Sequence, residues 1–415
     1  RQMCIRDRNS MRIGLLAYHS AINFGATLQL LSTYMFFKNN GYEPIVINWV
    51  ASDLEAFYNS RSQEGQRSFS LNLRQNIWTE SRLCRTSKEV ANVISDYNIG
   101  GVIIGSDAVC QHHPTIERVS FPCRSIIKIQ KYTTDRMFPN VFWGDFLNYL
   151  PHPVPVAVMS ASSQDSAFNY FGPSLKKKMN KYIYRYSYLS VRDVWTQKMF
   201  SHISNGTIIP PVTPDPVFAF NYNAGCLVPN REDILKKFHL PEKYLLVSFF
   251  DSYKVSQSWM DEFVELASNK DLVCVSLPFA QIRSAIKCPY EISLPLSPID
   301  WYALIKYSSG YIGNNMHPIV VSLHNQISFF SFDNYGIKKC RNIFTNDRSS
   351  KIKHILDSAG MGDYRISAIS KNFSQPAPLH VLNKLLSFDK KKSKIFADSY
   401  YQKYQHMMQE IISKF

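Results

Sequence analysis

The sequence predicts an α/β protein with two domains, each built around a doubly wound parallel sheet. Short apolar runs alternate along the chain with segments of helical periodicity, which is typical of such sheets. At 415 residues, the chain exceeds what a single core usually organises. Residues 209–216 are rich in proline and cannot continue a helix or a central strand. They therefore mark the route between the two domains.

The first domain is expected to span residues 11–222. Its predicted strands are 13–18, 44–48, 102–104, 154–159 and 188–191, and its predicted helices are 26–39, 87–97, 173–184 and 194–201. Residues 50–85 and 108–153 show neither pattern and are predicted to be long irregular insertions. Loops of this length are more often functional or mobile than merely connective.

The second domain is expected to span residues 223–385. Its predicted strands are 244–249, 272–276, 310–313 and 327–331, and its predicted helices are 256–268, 299–307, 319–325 and 349–358. Residues 386–415 are predicted to form a basic helix that carries Lys390, Lys391, Lys392 and Lys394. This run is either a solvated helix face or a contact with anionic lipid.

Residues 1–10 are predicted to be a non-native leader. They contain no apolar block and look like translated adapter sequence, which places the native start at Met11. Without them the net charge falls from +15 to +13. Residues 12–18 are too few for a signal-peptide core, and no stretch approaches the ~18–20 apolar residues that span a bilayer. We expect a cytoplasmic protein, either free or in peripheral contact with the inner face of the membrane.

The positive charge predicts an anionic partner. Lys and Arg are scattered along the chain, and no segment resembles a nucleic-acid module, so a phosphorylated or carboxylated substrate or a membrane surface fits better. The eight cysteines are widely spaced, which favours reduced cytosolic thiols. Cys110, His112, His113 and Cys123 fit no zinc spacing, so no metal is predicted.

Residues 313–318 carry the clearest candidate for chemistry. His317 follows a predicted buried strand and precedes a predicted helix, at the edge of the sheet where open α/β folds bind ligands. A histidine there can exchange protons near neutral pH, and the free N–H groups of the helix can hold an anion beside it. A capping or packing histidine is the alternative.

Three other loops place polar residues at strand ends. Gly25 allows close approach to the backbone, and Asn23 either caps a helix or donates to an anion. Asp107 either accepts a proton from a hydroxyl or caps a helix. Arg192 suits phosphate or carboxylate, unless it forms a salt bridge to Asp193 or another acid.

Together these segments resemble the polysaccharide pyruvyl transferase family. The sequence NFGATLQ is similar to the family's opening motif, GSDAV to its Gly-Ser-Asp signature, and SVRD to its Ser-Val-Arg-Glu/Asp. Asp215-Pro216 looks like the family's Asp-Pro, NMHPIVVSLHN like its histidine block, and Lys351-Ile352 falls where the family has an arginine-containing helix. The matches run in order from about residue 12 to residue 365, which is most of the chain.

The resemblance implies two Rossmann-like domains that face each other, as in GT-B glycosyltransferases, with a C-terminal helix packing back on the first domain. It implies transfer of pyruvate from phosphoenolpyruvate to a sugar or lipid-linked glycan as a ketal, in cell-surface polysaccharide biosynthesis, with no cofactor. His317, as imidazolium, would be the acid. Asp107 would orient the acceptor or take its proton, and Asn23, Gly25 and Arg192 would hold phosphate or carboxylate.

The chain departs from the family pattern around its histidine. Asn315 replaces an arginine or serine, and Pro318 replaces a glycine. The missing arginine weakens donor binding unless Lys338, Lys339 or Arg341 supplies the charge. These departures indicate a divergent subfamily with a different donor or acceptor, or a catalytically silent relative.

Two other functions stay open. A glycosyltransferase that uses a nucleotide sugar would need a carboxylate to grip the ribose, for which Asp300 and Asp333 are candidates. A non-catalytic glycan-binding protein is favoured if His317 is buried and unpaired with any basic side chain.

Overall fold

The computed structural model describes residues 11–61, 64–123, 126–252, 254–339 and 344–415. The predicted leader, residues 1–10, and Arg341 lie outside these ranges. Nothing in the described part of the chain bears on them.

The first domain is an α/β unit around a five-stranded parallel sheet of order β2-β1-β3-β6-β7. Its strands, including those of a separate β4–β5 hairpin, are β1 (Arg12–Leu16), β2 (Glu43–Val46), β3 (Ile99–Asp107), β4 (Val119–Cys123), β5 (Ile126–Ile129), β6 (Val156–Ala161) and β7 (Tyr188–Val191). Its helices are α1 (Phe24–Asn39), α2 (Ser52–Arg61), α3 (Glu64–Ile77), α4 (Ser87–Asp96), α5 (Thr115–Arg118), α6 (Pro173–Ile183) and α7 (Val194–Ile203).

The second domain repeats this plan with a six-stranded parallel sheet of order β10-β9-β8-β11-β12-β15. Its strands, with a β13–β14 hairpin, are β8 (Tyr244–Ser248), β9 (Val273–Ser276), β10 (Tyr290–Glu291), β11 (Gly310–Gly313), β12 (Ser328–Asp333), β13 (Ile337–Lys339), β14 (Phe344–Asn346) and β15 (Arg365–Ser367). The remaining helices are α8 (Phe220–Asn223), α9 (Arg231–Lys237), α10 (Gln257–Ser268), α11 (Pro298–Lys306), α12 (Met316–His324), α13 (Lys351–Ser358), α14 (Pro378–Leu386) and α15 (Lys390–Ile412). The two parallel sheets confirm the predicted fold class.

Three expectations about individual segments are corrected. Neither predicted insertion is irregular throughout, because residues 50–85 contain α2 and α3, and residues 108–153 contain α5 and the β4–β5 hairpin. The helix predicted at 319–325 begins at Met316, so that His317 lies in its first turn. Proline is tolerated there because the first N–H groups of a helix have no intrahelical partner, and Pro318 therefore does not delay the start. Strands β10 and β15 were not predicted. Both are short; β10 is exposed and β15 is partly buried.

Helix α15 connects the two domains a second time, as the family resemblance implied. Near its start, the Ser393 hydroxyl donates to the backbone oxygen of Leu323 in the second domain at 2.7 Å. Further along, the Tyr404 hydroxyl accepts from Asn223 at 3.0 Å, and the Met407 sulfur lies 3.2 Å from the Ser160 hydroxyl of the first domain. The helix therefore fixes the second domain against the first.

Candidate functional site

A cluster of charged side chains lies where the strand ends of both domains meet. Asp107 ends β3, Arg192 directly follows β7, and Asp215 begins the crossover between the domains. His317 comes from the first turn of α12, and Lys351 is the first residue of α13. We call these five residues the charge cluster: Asp107, Arg192, Asp215, His317 and Lys351.

Arg192 joins the two carboxylates of the charge cluster. Its guanidinium donates to Asp215 at 2.8 Å and to Asp107 at 3.0 Å, and its side chain is almost fully buried. Burial opposes the charge, but the two carboxylates outweigh it and raise the pKa of Arg192. The predicted salt bridge to another acid is therefore present, although not to Asp193, which caps α7. These bonds use two of the five N–H groups of the guanidinium, so a substrate anion would have to bind through the others.

Asp107 is a carboxylate held by two cations. Burial alone would raise its pKa, but Lys351 and Arg192 lower the pKa of Asp107 well below its usual range. A carboxylate of such low pKa is a weak base, which favours orienting a substrate over taking a proton. Asp107 also caps no helix, since the next helix, α5, begins at Thr115 after Pro114.

Lys351 is the cation of the cluster that keeps its hydrogen-bonding capacity. Its ammonium lies 3.6 Å from the nearer Asp107 oxygen, and no described residue forms a hydrogen bond with it. Burial lowers the pKa of Lys351, as does the neighbouring Arg192. A largely buried ammonium without hydrogen bonds can bind an added anion without breaking existing contacts.

His317 is buried, with 7% of the residue exposed. Its Nε2 lies 3.8 Å from Asp215 Oδ2 and has no hydrogen-bond partner among the described residues. Burial lowers the pKa of His317 more than Asp215 and Asp107 raise it, so the free protein carries a neutral imidazole at neutral pH. The predicted imidazolium therefore needs an added anion to stabilise it.

Two further buried polar atoms around Asp215 lack a hydrogen-bond partner within the described ranges. Gln29 donates through Nε2 to Asp215 at 2.5 Å, but its Oε1 has no donor. The Nε of Arg192 is also unsatisfied. Buried polar groups are normally paired, so unsatisfied atoms gathered at one site indicate that a ligand or ordered water completes it.

A cavity of about 370 Å³ opens beside the cluster between the two domains; we call it the crevice cavity. Asn23 and Gly25 line it from the first domain, and Asn315 lines it from the second. Asn23 also caps α1 by accepting from the N–H of Ala26 at 3.2 Å, so the capping interpretation holds alongside the site position. The structure thus gathers Asn23, Gly25 and Asn315 next to His317.

The cations predicted to replace the family arginine are not in the charge cluster. Lys338 is exposed, and its ammonium donates to Asn334 at 3.1 Å, at the rim of the crevice cavity. The side chain of Lys339 and all of Arg341 fall outside what the structure describes. Lys351, which sequence reasoning named only within a family match, is the lysine that reaches the cluster.

The structure also shows the two carboxylates named for a glycosyltransferase and the histidine environment named for a non-catalytic protein. Asp333 is fully buried and binds Ser350 and Arg365, while Asp300 binds Lys237, so both carboxylates already have partners. His317 is buried, but the nearby Arg192 and Lys351 both lower its pKa. The stated condition for a non-catalytic protein is a buried histidine unpaired with any basic side chain, and it is met, because no basic side chain among the described residues forms a hydrogen bond or ion pair with His317.

The described residues contain no group of three or more His, Cys, Asp or Glu that could hold a metal ion. His112 accepts from the N–H of Phe138, and His113 pairs with Glu117. The Cys123 side chain lies outside the described part. In the same ranges, no helix is long and apolar enough to cross a membrane.

Comparison with known proteins gives a family and a fold. A family model described as polysaccharide pyruvyl transferase matches residues 23–335. No curated protein matches the chain. Among solved structures, the UDP-GlcNAc 2-epimerase from Neisseria meningitidis bound to UDP-GlcNAc has a TM-score of 0.56 at 8% identity, covering 97% of this chain and 99% of that chain.

Two further solved structures resemble the chain at a TM-score of 0.50. The UDP-N-acetylglucosamine 2-epimerase from Rickettsia bellii is 8% identical, with 97% of this chain and 96% of that chain covered. A UGT transferase from Siraitia grosvenorii in complex with UDP is 10% identical, with 97% and 100% covered. At such low identity these similarities show the fold alone, and they confirm the expected GT-B-like architecture.

Proposed function

Because the chain belongs to the polysaccharide pyruvyl transferase family, we propose that it is a ketal-forming transferase that uses phosphoenolpyruvate as donor. The acceptor is a sugar or a lipid-linked glycan on the way to a cell-surface polysaccharide. The single observation that carries this proposal is the charge cluster, in which a buried histidine and a lysine without hydrogen bonds each lie within 4 Å of a carboxylate that Arg192 binds.

The reaction needs one proton donor and no redox step. Protonation of the methylene carbon of phosphoenolpyruvate creates an oxocarbenium ion at C2, and one sugar hydroxyl adds there with loss of its proton. Departure of phosphate creates a second oxocarbenium ion, which the second hydroxyl attacks. One hydroxyl proton replaces the proton used on the methylene carbon, the other balances the released phosphate, and the product is a cyclic pyruvate ketal.

We assign proton donation to His317 and binding of the phosphoenolpyruvate anion to Lys351. The imidazole is neutral in the free protein, because burial lowers the pKa of His317. A phosphoenolpyruvate anion bound beside it raises that pKa, so donor binding itself would charge the acid. Asp107, a carboxylate of low pKa, orients the acceptor. Arg192 keeps Asp107 and Asp215 in place, and Asn23, Gly25 and Asn315 form the adjoining wall.

Location at the inner face of the membrane is part of the same proposal. Lys390, Lys391 and Lys394 are exposed on the first turns of α15, which fits electrostatic contact with anionic lipid. Such contact would bring the crevice close to a lipid-linked acceptor.

The first experiment is a thermal melt of the full chain with phosphoenolpyruvate, inorganic phosphate, nucleotide diphosphates or nucleotide sugars. A ligand that binds only the native state raises its melting temperature. We expect phosphoenolpyruvate to do so, and phosphate release in the presence of an acceptor glycan to follow. Stabilisation by a nucleotide sugar instead would favour a glycosyltransferase, and the absence of any stabilisation would favour a silent relative.

A further inference from the structure

The crevice cavity differs from the charge cluster beside it in its chemistry. Its wall is rich in carboxamides, and the residues that supply them are Asn23, Gln281, Asn314, Asn315 and Asn334. Aromatic side chains also line the cavity, among them Phe250, Phe279 and Tyr335. The one charged residue on the described wall is Asp251.

Several of these carboxamides have groups left over for a ligand. Gln281 donates through Nε2 to the backbone oxygen of Ile22 at 3.3 Å, which leaves its Oε1 as an acceptor. The oxygens of Asn23 and Asn334 accept from Ala26 and Lys338, which leaves both NH₂ groups as donors. Asn315 makes no side-chain bond to the start of α12. The cavity therefore offers both donors and acceptors, as a polyhydroxylated ligand needs.

The aromatic side of the cavity is open to solvent. Phe250 is 58% exposed and meets Phe279 edge to face, with ring centroids 5.6 Å apart. An exposed ring costs free energy in water, and the C–H face of a sugar ring can cover it. The cavity volume of about 370 Å³ lies within the usual range for small-molecule sites.

The same wall is poorly suited to the donor. A phosphoenolpyruvate anion placed there would face Asp251, and no lysine or arginine is among the described residues that line the cavity. Two lysines lie close to this wall, but Lys338 is exposed and bound to Asn334, and Lys254, near Asp251, donates to the backbone oxygen of Ser370. Desolvating a multiply charged anion without a buried cation is unfavourable. The buried cation lies instead in the charge cluster, at Lys351.

We infer that the crevice cavity is the subsite for an uncharged sugar ring of the acceptor, and that the donor anion binds beside it at the charge cluster. This inference rests on the proposed function, because it assigns the two substrates of that reaction to neighbouring parts of one crevice. Gly25 and Asn315 line the cavity and flank His317, so the bound ring would lie beside the residue to which we assign proton donation.

Ligand-detected NMR tests the assignment with defined probes. Saturation transfer from the full chain to the methyl glycosides of glucose, galactose and mannose is measured with and without phosphoenolpyruvate. The variants Phe250→Ala and Gln281→Ala remove one aromatic face and one carboxamide of the cavity. Tyr149→Ala is the matched control, because Tyr149 is a similarly exposed aromatic residue (52%) that does not line the cavity.

We expect at least one glycoside to bind, with each cavity variant weakening it by about fivefold or more and the control leaving it unchanged. Excess phosphate should not displace the glycoside. Lack of binding by all three glycosides, equal binding by the cavity variants, or displacement by phosphate or by UDP would each overturn the assignment. If a glycoside binds in the cavity while phosphoenolpyruvate fails to stabilise the protein, the sugar subsite stands and the proposed donor is wrong.

Discussion

The imidazole of His317 occupies the space that a side chain at Gly25 would need. A Cβ atom added to Gly25 would lie 2.0 Å from Nδ1 of His317 and 2.4 Å from Cε1. Two motifs almost 300 residues apart in the sequence are therefore packed into direct contact across the domain boundary. The absence of a side chain at residue 25 allows the histidine to reach the crevice.

Gly25→Ala is therefore expected to displace His317 and to lower turnover by about 100-fold, since small errors in placing a catalytic group are costly. Turnover is measured as phosphate release from phosphoenolpyruvate. The control is Gly172→Ala, because Gly172 is exposed, precedes α6, and a Cβ there meets nothing within 4 Å. Full activity of Gly25→Ala would show that the position of His317 is unimportant for the reaction.

The pH dependence of the reaction should reveal the state of His317. As the required acid, it makes kcat/KM for phosphoenolpyruvate fall as pH rises through the lowered pKa of the free protein. The profile of kcat should fall at higher pH, because the bound anion raises the pKa of the imidazole in the complex. His317→Ala should abolish turnover, while His406→Ala, on the exposed face of α15, should not. Identical profiles for kcat and kcat/KM would contradict coupling between donor binding and protonation.

Lys351→Met is expected to weaken phosphoenolpyruvate binding by about 10-fold to 100-fold, as for loss of one charge-assisted hydrogen bond in a buried site. Isothermal titration measures the affinity. Lys351→Arg should retain most of it, and the fold should tolerate both changes because Asp107 keeps its contact with Arg192. Lys338→Met tests the cation predicted from the sequence. A larger loss of affinity in Lys338→Met than in Lys351→Met would show that the donor binds at the rim of the cavity.

Asp215→Asn is expected to destabilise the protein by about 1.5–3 kcal/mol, because buried Arg192 keeps its pair with Asp107 but loses its second charged partner. The melting temperature reports this change. Asp363→Asn serves as the control, since Asp363 pairs with Lys384 at the surface, where such pairs contribute about 0–1 kcal/mol. Equal melting temperatures for the two variants would show that the Arg192–Asp215 pair adds little to stability.

The sequence predicted elements well wherever local pattern alone decides them. The bounds of β7 and β11 match the predicted 188–191 and 310–313 because each is a short apolar run with clear breaks on both sides. The insertion helices α2 and α3 were missed because their segments contain few apolar residues. Helix α3 nevertheless repeats Phe69, Leu73 and Ile77 at helical spacing, which indicates a helix from the sequence alone.

The position of the candidate site could be predicted from the sequence, but the ion pairs within it could not. Strand-end position identified Asp107, Arg192 and His317, since parallel strands place their carboxyl ends at one edge. Which carboxylate pairs with Arg192 depends on how the crossover brings Asp215 back, and local pattern does not show that. Lys351 resembles any lysine at a helix start, so only its distance from Asp107 distinguishes it.

The path of α15 has a consequence for the order of folding during synthesis. Met407 contacts Ser160 of the first domain, and the ring of Phe415 packs over Gly101, next to β1 and β6. The first domain therefore lacks part of its core until residues some 250–300 positions later have left the ribosome. During that interval the apolar surface that α15 later covers stays exposed to solvent, so the first domain completes its core only after the second has been synthesised.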